Sequence, residues 1–328
     1  MPFKAYRIHE ENGRVAARFE MLELADLSEG DVVIRVTWSG INYKDALAAT
    51  GAGKILRKHP LVGGIDLAGV VDSSSDARYK PGDPVLVTGC ELSETHDGGY
   101  AQFARVHGDW VIPIPAGLDD RSAMALGTAG FTAALAIHRM EENGQRPAKG
   151  PIVVTGATGG VGSVAIDMLG SRGYEVIAVS GKEKSIGYLK SLGAARVLLR
   201  QSIDYGSRPL ERAQFAGAID NVGGDVLAWL TRTVGYGGNI ASVGLAGSAK
   251  LETTVMPFIL RAVNLLGINS SGPSRELRLA LWKRIATDLA PRHLDKIVTR
   301  ELEFDALPTA FAAYIEGAVI GRTVVRIG

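Results

Sequence analysis

An α/β protein in two parts is expected: a strand-rich, barrel-like β domain followed by a doubly wound parallel sheet. The apolar pattern changes near Asp119 from short runs broken by turns to helical spacing. From Pro151 strand and helix alternate, as they do where parallel strands carry helices on both faces. At the first strand-to-helix junction stands Gly156-Ala-Thr-Gly159-Gly160-Val-Gly162. The length of 328 residues exceeds one ordinary core and suits about two domains.

The strands of the first part follow from β-branched runs bounded by turn residues. Asp31-Val-Val-Ile-Arg-Val-Thr-Trp38 lies between Gly30 and Ser39-Gly40. Leu67-Ala-Gly-Val-Val71 runs into a polar turn, Asp72-Ser-Ser-Ser-Asp76, and Pro81-Gly-Asp-Pro84 precedes Val85-Leu-Val-Thr88. In the second part, Ala123 to Met140 has helical spacing and Asn143-Gly144 closes it. Strands are predicted at 151–155, 174–179, 197–199, 217–220 and 239–243, with helices over 162–170 and around 186–192. A helix over 275–289 and a terminal strand over 322–327 complete the reading. The strand after Asn239 is expected at the sheet edge, where a second copy could pair in a homodimer.

Composition narrows the function. The 36 basic and 35 acidic residues leave a formal charge of +1, which argues against nucleic acid or a membrane surface as partner. With 46% hydrophobic and 22% charged residues the chain is an ordinary globular one. No apolar run is long enough to span a bilayer, and Met-Pro-Phe-Lys-Ala-Tyr lacks the pattern of a signal peptide. Cys90 is the only cysteine, so no disulfide can form within the chain. A cytoplasmic protein is expected.

The glycine loop is the sharpest signal. It follows a buried strand and opens a helix, the context that a dinucleotide-binding fingerprint requires. Gly156 permits the tight turn, Gly159 and Gly160 let backbone N–H groups approach a pyrophosphate, and Gly162 allows helix and strand to pack closely. The helix start favours the phosphate charge. An NAD site places a carboxylate at the tip of the second strand to hold the ribose 2′-hydroxyl. Here the tip reads Ser180-Gly181-Lys182, a hydroxyl followed by a cation, which suits the 2′-phosphate of NADPH.

A β domain preceding a dinucleotide-binding domain resembles the medium-chain dehydrogenase/reductase superfamily across essentially the whole chain. The motifs are Gly63-Gly-Ile-Asp-Leu-Ala-Gly69, Tyr79-Lys-Pro-Gly-Asp83-Pro-Val85, the glycine loop and Asp220-Asn-Val-Gly-Gly224. The resemblance implies a GroES-like β-barrel catalytic domain over 1–120, a Rossmann NADPH-binding domain over 121–265, and a segment, 266–328, returning to the catalytic domain. Zinc members carry Gly-His-Glu where this chain has Gly64-Ile65-Asp66, and one cysteine cannot build the structural zinc lobe. No metal site is expected, so hydride addition to an activated C=C bond replaces alcohol oxidation. Within the zinc-free, quinone-oxidoreductase-like branch, the chain is similar to acryloyl-CoA reductases at 38–47, 51–57, 127–133, Gly181-Lys182, Gly244-Leu245 and 254–261.

That resemblance implies NADPH-dependent reduction of acryloyl-CoA to propanoyl-CoA. It maps cofactor contacts onto Tyr43, Thr158 to Val161, Ser180 to Lys182, Leu245, Ile259 and Ser270. Asn42 and Tyr43 follow a strand end and are the candidate catalytic residues. Tyr43 could hydrogen-bond the nicotinamide or ribose or relay the α-proton, or only wall the site. Asn42 could bond the substrate carbonyl or only cap the turn, and Asp45 reads as a residue of a helix N-terminus. Lys54, Arg57 and Lys58, with Arg261, are candidate cations for coenzyme A phosphates or a solvated basic surface. The alternatives are an NADPH-dependent quinone or enone reductase and, outside catalysis, an NADPH-binding sensor.

Overall fold

The computed structural model describes all of residues 1–328. It begins with strands β1 (Phe3–Glu11), β2 (Arg14–Leu22) and β3 (Val32–Ile41) and helix α1 (Tyr43–Thr50). Then come β4 (Leu61–Val62), β5 (Asp66–Ser74), β6 (Pro84–Thr88), β7 (Phe103–Val106) and β8 (Ile112–Pro113). Helix α2 (Asp120–Glu142) leads to β9 (Ile152–Val154), α3 (Gly160–Ser171), β10 (Val176–Ser180), α4 (Ile186–Ser191) and β11 (Ala194–Leu199). Next are β12 (Phe215–Asp220), α5 (Gly224–Thr233), β13 (Val234–Ser242), α6 (Met256–Leu260) and β14 (Asn264–Gly267). The chain finishes with α7 (Arg275–Ile285), α8 (Leu294–Ile297), β15 (Val298–Glu303), α9 (Phe311–Ile315) and β16 (Arg322–Arg326). None of these helices is long and apolar enough to cross a membrane.

The chain divides into two compact units: Met1–Thr128 with Ser270–Ala286 and Val298–Gly328, and Ala129–Asn269 with Thr287–Ile297. The crossings thus fall at 128 and 269 rather than 120 and 265, and residues 287–297 go with the second unit.

In the first unit, β3 is the strand that others are built on. It pairs antiparallel with β5, β7 and β16 along different stretches. The seven-stranded sheet runs β15-β16-β3-β5-β6-β8 with β7 also on β3, and β2-β1-β4 forms a separate three-stranded sheet. Val32, Ile34 and Val36 are buried and alternate with the more open Val33, Arg35 and Thr37, the period of a strand with one face in a core. That core includes Leu67, Val85, Val87, Phe304 and Phe311. β5 runs past the turn expected at 72–76, because Ser73 and Ser74 continue the ladder opposite Val33 and Val32. The backbone there bonds whatever the side chains are.

The second unit is a six-stranded parallel sheet in the order β11-β10-β9-β12-β13-β14. Strands β9 and β12 are buried throughout, as a sheet covered on both faces requires. The order reverses between β9 and β12, and ligands of such sheets bind outside the strand ends at that switch point. The edge expected at the strand after Asn239 is a correction: β13 lies between β12 and β14, and β14 is the edge.

Close backbone approach makes one glycine of the first unit a stringent test. Gly69 pairs with Val36, and a Cβ on it would lie 2.1 Å from the carbonyl oxygen of Arg35. Gly69→Ala should therefore destabilise the protein by about 1–3 kcal/mol or more in chemical denaturation. Gly187→Ala, in α4 with open space around the new methyl, should be neutral or slightly stabilising.

Candidate functional site

In the second unit the glycine loop takes the form its sequence implies. Gly156 has φ of +56°, and a side chain there would press on Cβ of Asn221 at 3.1 Å. A Cβ on Gly162 would sit 2.5 Å from the carbonyl oxygen of Gly156, so helix α3 packs directly on the turn. Gly159 is the N-cap of α3 and offers no side chain, while its carbonyl accepts from the N–H of Ser163 at 2.9 Å. The N–H groups of Gly160, Val161 and Gly162 take no acceptor from the backbone, as at any helix start.

The neighbouring strand ends are clamped together. Asp220 accepts from the hydroxyl of Thr155 at 2.6 Å and from the N–H of Gly223 at 2.8 Å. Burial pushes its carboxyl up, and these hydrogen bonds work against the push. Asn221 donates its amide to the carbonyl of Thr155 at 2.8 Å, which leaves its Oδ1 buried without a partner. A polar atom orphaned at the switch point, beside a cradle where any Cβ would intrude, fits a ligand that brings its own donors and phosphates. The residues present thus suit a dinucleotide.

At the tip of β10, Ser180 is buried and its hydroxyl accepts from the N–H of Lys182 at 3.0 Å. Burial pushes the Lys182 ammonium down. The parallel pairing of Ser180 with Leu199 brings the next residue of the neighbouring strand, Arg200, alongside. A Cβ on Gly181 would meet the Arg200 guanidinium at 3.4 Å. Sequence reading missed this second cation, whose only signal is its place just after β11. Leu245 and Ile259 are 64% and 71% exposed. The carbonyl of Ser270, in the first unit, accepts from Arg278 at 3.0 Å. Arg261 donates to the carbonyls of Arg232 and Glu211 and is not a spare cation.

In the first unit, Asn42 caps α1, and Tyr43 is its first residue, 44% exposed, with a hydroxyl that bonds nothing in the chain. The Asn42 amide is spent. It donates to Asp45 at 3.2 Å and Asp66 at 2.8 Å and accepts from Arg322 at 2.8 Å. Both of its N–H groups are thus bonded within the chain, as suits a residue that holds the turn. Asp45, fully buried, accepts from the N–H of Asn42 at 2.8 Å and of Ile65 at 2.9 Å. Asp66 accepts from the N–H of Thr128 at 3.0 Å and from its hydroxyl at 2.5 Å. Arg322, 2% exposed, lies 3.8 Å from Asp66 and donates to the carbonyls of Ile41 and Ala125, each at 3.0 Å. Glycines make its room: a Cβ on Gly40 or Gly127 would fall 2.7 or 2.8 Å from its Nη2.

Known proteins match this architecture. Residues 28–116 match the family described as alcohol dehydrogenase GroES-like domain, and residues 160–287 that described as zinc-binding dehydrogenase. The chain belongs to the medium-chain dehydrogenase/reductase family. Within it, the chain falls in the group of acrylyl-CoA reductase homologues. It is 48% identical over 324 residues to the probable acrylyl-CoA reductase AcuI of Escherichia coli, with 99% of each chain covered. It is 44% identical over 326 residues to the putative quinone oxidoreductase YhfP of Bacillus subtilis, with 99% of each covered. Among solved structures, the yhdH oxidoreductase of Salmonella enterica in complex with NADP is 48% identical, with 99% of this chain and all of that one covered at a TM-score of 0.96. The Bacillus protein, solved with NAD bound, gives a TM-score of 0.97 over 99% of each chain.

The zinc of one family's description does not fit here. Ile65 is buried where an imidazole would be needed, Asp66 is taken up by Thr128, Asn42 and Arg322, and nowhere do three His, Cys, Asp or Glu side chains converge on a metal position.

Burial and the nearby charge of Asp66 push Asp45 from its ordinary 3.8 up to about 7. The folded protein then holds a proton in that interval that the unfolded chain has released. This contribution to stability is complete at the acid end and is lost as pH rises to about 7, with a slope of at most about 1.4 kcal/mol per pH unit. Chemical denaturation across the interval should show that slope in the parent and lose it in Asp45→Asn.

Proposed function

We propose that this protein reduces the C=C bond of acryloyl-CoA to give propanoyl-CoA, with NADPH as hydride donor and no metal. The observation that carries the reading is the 48% identity to an acrylyl-CoA reductase over 99% of both chains. Ser180, Lys182 and Arg200 support the 2′-phosphate of NADPH, and within the loop from Thr158 to Val161 the N–H groups of Thr158, Gly160 and Val161 support its pyrophosphate, that of Gly159 being held by the carbonyl of Gly156. Tyr43, Leu245, Ile259 and Ser270 complete the proposed contacts.

When bound, NADPH supplies the hydride that adds to the β-carbon. Charge then develops on the thioester oxygen, and a proton is needed at the α-carbon. The Tyr43 hydroxyl, exposed and unbonded, is the group we assign to donate to that oxygen or pass the proton. Asn42 holds the turn on which Tyr43 stands and is a positioning residue. Leu245 and Ile259 are the apolar groups we assign to shield the nicotinamide from water.

The decisive measurement is consumption of NADPH with acryloyl-CoA beside crotonoyl-CoA, a simple enone and a quinone, each repeated with NADH. Turnover favouring acryloyl-CoA and NADPH is expected. Preference for the quinone would support the second reading, which the Bacillus relative favours. NADPH binding with no turnover of any acceptor would point to a sensor.

The double variant Lys182→Ala/Arg200→Ala should lower the preference for NADPH over NADH, as a ratio of kcat/KM, by about ten-fold or more. We further propose a cytoplasmic homodimer formed at the open edge of β14, where Leu265 is exposed. Light scattering should return twice the chain mass of 34.7 kDa.

A further inference from the structure

We infer that the cavity between the start of α1 and the loop at 54–57 binds the phosphates of coenzyme A. The inference rests on the reading of the substrate as a CoA thioester and adds where its charged end is held.

The cavity, about 380 Å³, is lined by Lys44, Lys54, Ile55, Leu56, Arg57 and Glu94. Three cations share one carboxylate. Glu94 pairs with Lys44 through one oxygen and stands 3.9 Å from Arg57 through the other, while Lys54 has no acidic partner. In a chain whose charges otherwise nearly cancel, two uncompensated positive charges in one concave site mark a place for a polyanion.

The loop is not a loose solvated strand of basic residues. Leu56, between the cations, is buried in a cluster with Ile8, Ala48 and Leu61, and Ile55 packs against that cluster. The N–H of Arg57 donates to the carbonyl of Glu94 at 2.7 Å. Lys54 and Arg57 are thus carried on anchored backbone, so little ordering is needed when phosphate arrives. The half-buried Ile55 offers an apolar surface for the pantetheine arm or the adenine.

The position suits the chemistry as well. Lys44 follows Tyr43 directly on α1, and successive residues of a helix point about 100° apart. A cation and the proposed catalytic hydroxyl therefore stand side by side on one rigid element, facing different ways. A second cavity of the first unit, about 440 Å³, also holds arginines. Their guanidinium groups are engaged: Arg78 with Asp76 and Asp109, Arg275 with the carbonyl of Val111, and Arg278 with the carbonyls of Thr88, Ser270 and Ser271.

The test compares acryloyl-CoA with S-acryloyl-N-acetylcysteamine, which has the same thioester and no phosphate. In Lys54→Ala/Arg57→Ala, the ratio of kcat/KM for the two should fall by about ten-fold or more through KM for acryloyl-CoA. Added salt should lower the parent's ratio and move the variant's little. Lys80→Ala, which removes an exposed charge of the same unit outside the cavity, should leave the ratio alone. Equal losses on both thioesters, or a rise in KM for NADPH in place of acryloyl-CoA, would overturn the inference and leave the proposed function standing. If the parent fails to turn over acryloyl-CoA, the proposed function falls, and calorimetry with adenosine 3′,5′-bisphosphate decides the cavity alone. Binding to the parent that weakens in the double variant would sustain it, and absence of binding would overturn it.

Discussion

The first unit depends on a single buried cation. Arg322 comes from β16, one of the last residues of the chain, yet its guanidinium ends against Asn42 and Asp66 and the carbonyls of Ile41, Met124 and Ala125. A buried charge survives only where every donor is met and an opposite charge lies near. Meeting those demands fixes several other things. Residues 40 and 127 must be glycine, and α2 must break at Gly127, where φ is +52° and ψ −154°. That break turns the N–H of Thr128 onto Asp66. Asp45 and Asp66 are both buried, and the charge of Asp66 adds to burial in pushing the Asp45 carboxyl up. The turn that presents Tyr43 is rigid because it is part of this arrangement.

The second unit reaches an opposite solution. Where the cluster around Arg322 meets the donors of its guanidinium, the second unit leaves some polar groups open at its switch point. The backbone N–H groups at the start of α3 and Oδ1 of Asn221 lack acceptors and donors from the chain, while Thr155 and Asp220 hold the surrounding strand ends fixed. Open groups on a clamped frame are what binding a charged cofactor asks of a protein, since the frame need not rearrange when the ligand arrives.

The sequence made the parallel sheet and its loop readable because both depend on local pattern. Buried β-branched runs, the spacing of glycines and the change of period are visible within a dozen residues. Asp45 was legible as a helix-start residue for the same reason. Arg322 was not. An arginine in Arg322-Thr-Val-Val-Arg326 looks like a solvent-facing residue of an edge strand, and nothing nearby tells that β16 lies between β15 and β3. Arg200 was missed because only the lateral pairing of β10 with β11 brings it beside Gly181, which follows a different strand. Strand β14, Asn264-Leu-Leu-Gly267, has no β-branched residue and only four positions, so the edge of the sheet was assigned one strand too early. Asn42 was picked out on its neighbourhood, and only the fold shows which atoms consume its hydrogen bonds.

The interrupted course of the first unit also orders events during synthesis. The ribosome delivers nearly all of the second unit as one stretch, Ala129–Asn269, before the final pieces of the first have been made. Strand β16 follows every other element, and until it emerges the sheet is split between β15 and β3 and Asp66 has no guanidinium beside it. The second unit can close on its own core while the first waits, incomplete and exposed to proteases and chaperones. The arrival of β16, rather than the appearance of any earlier segment, is then the moment at which the first unit can lock, and loss of that strand reaches straight to its centre.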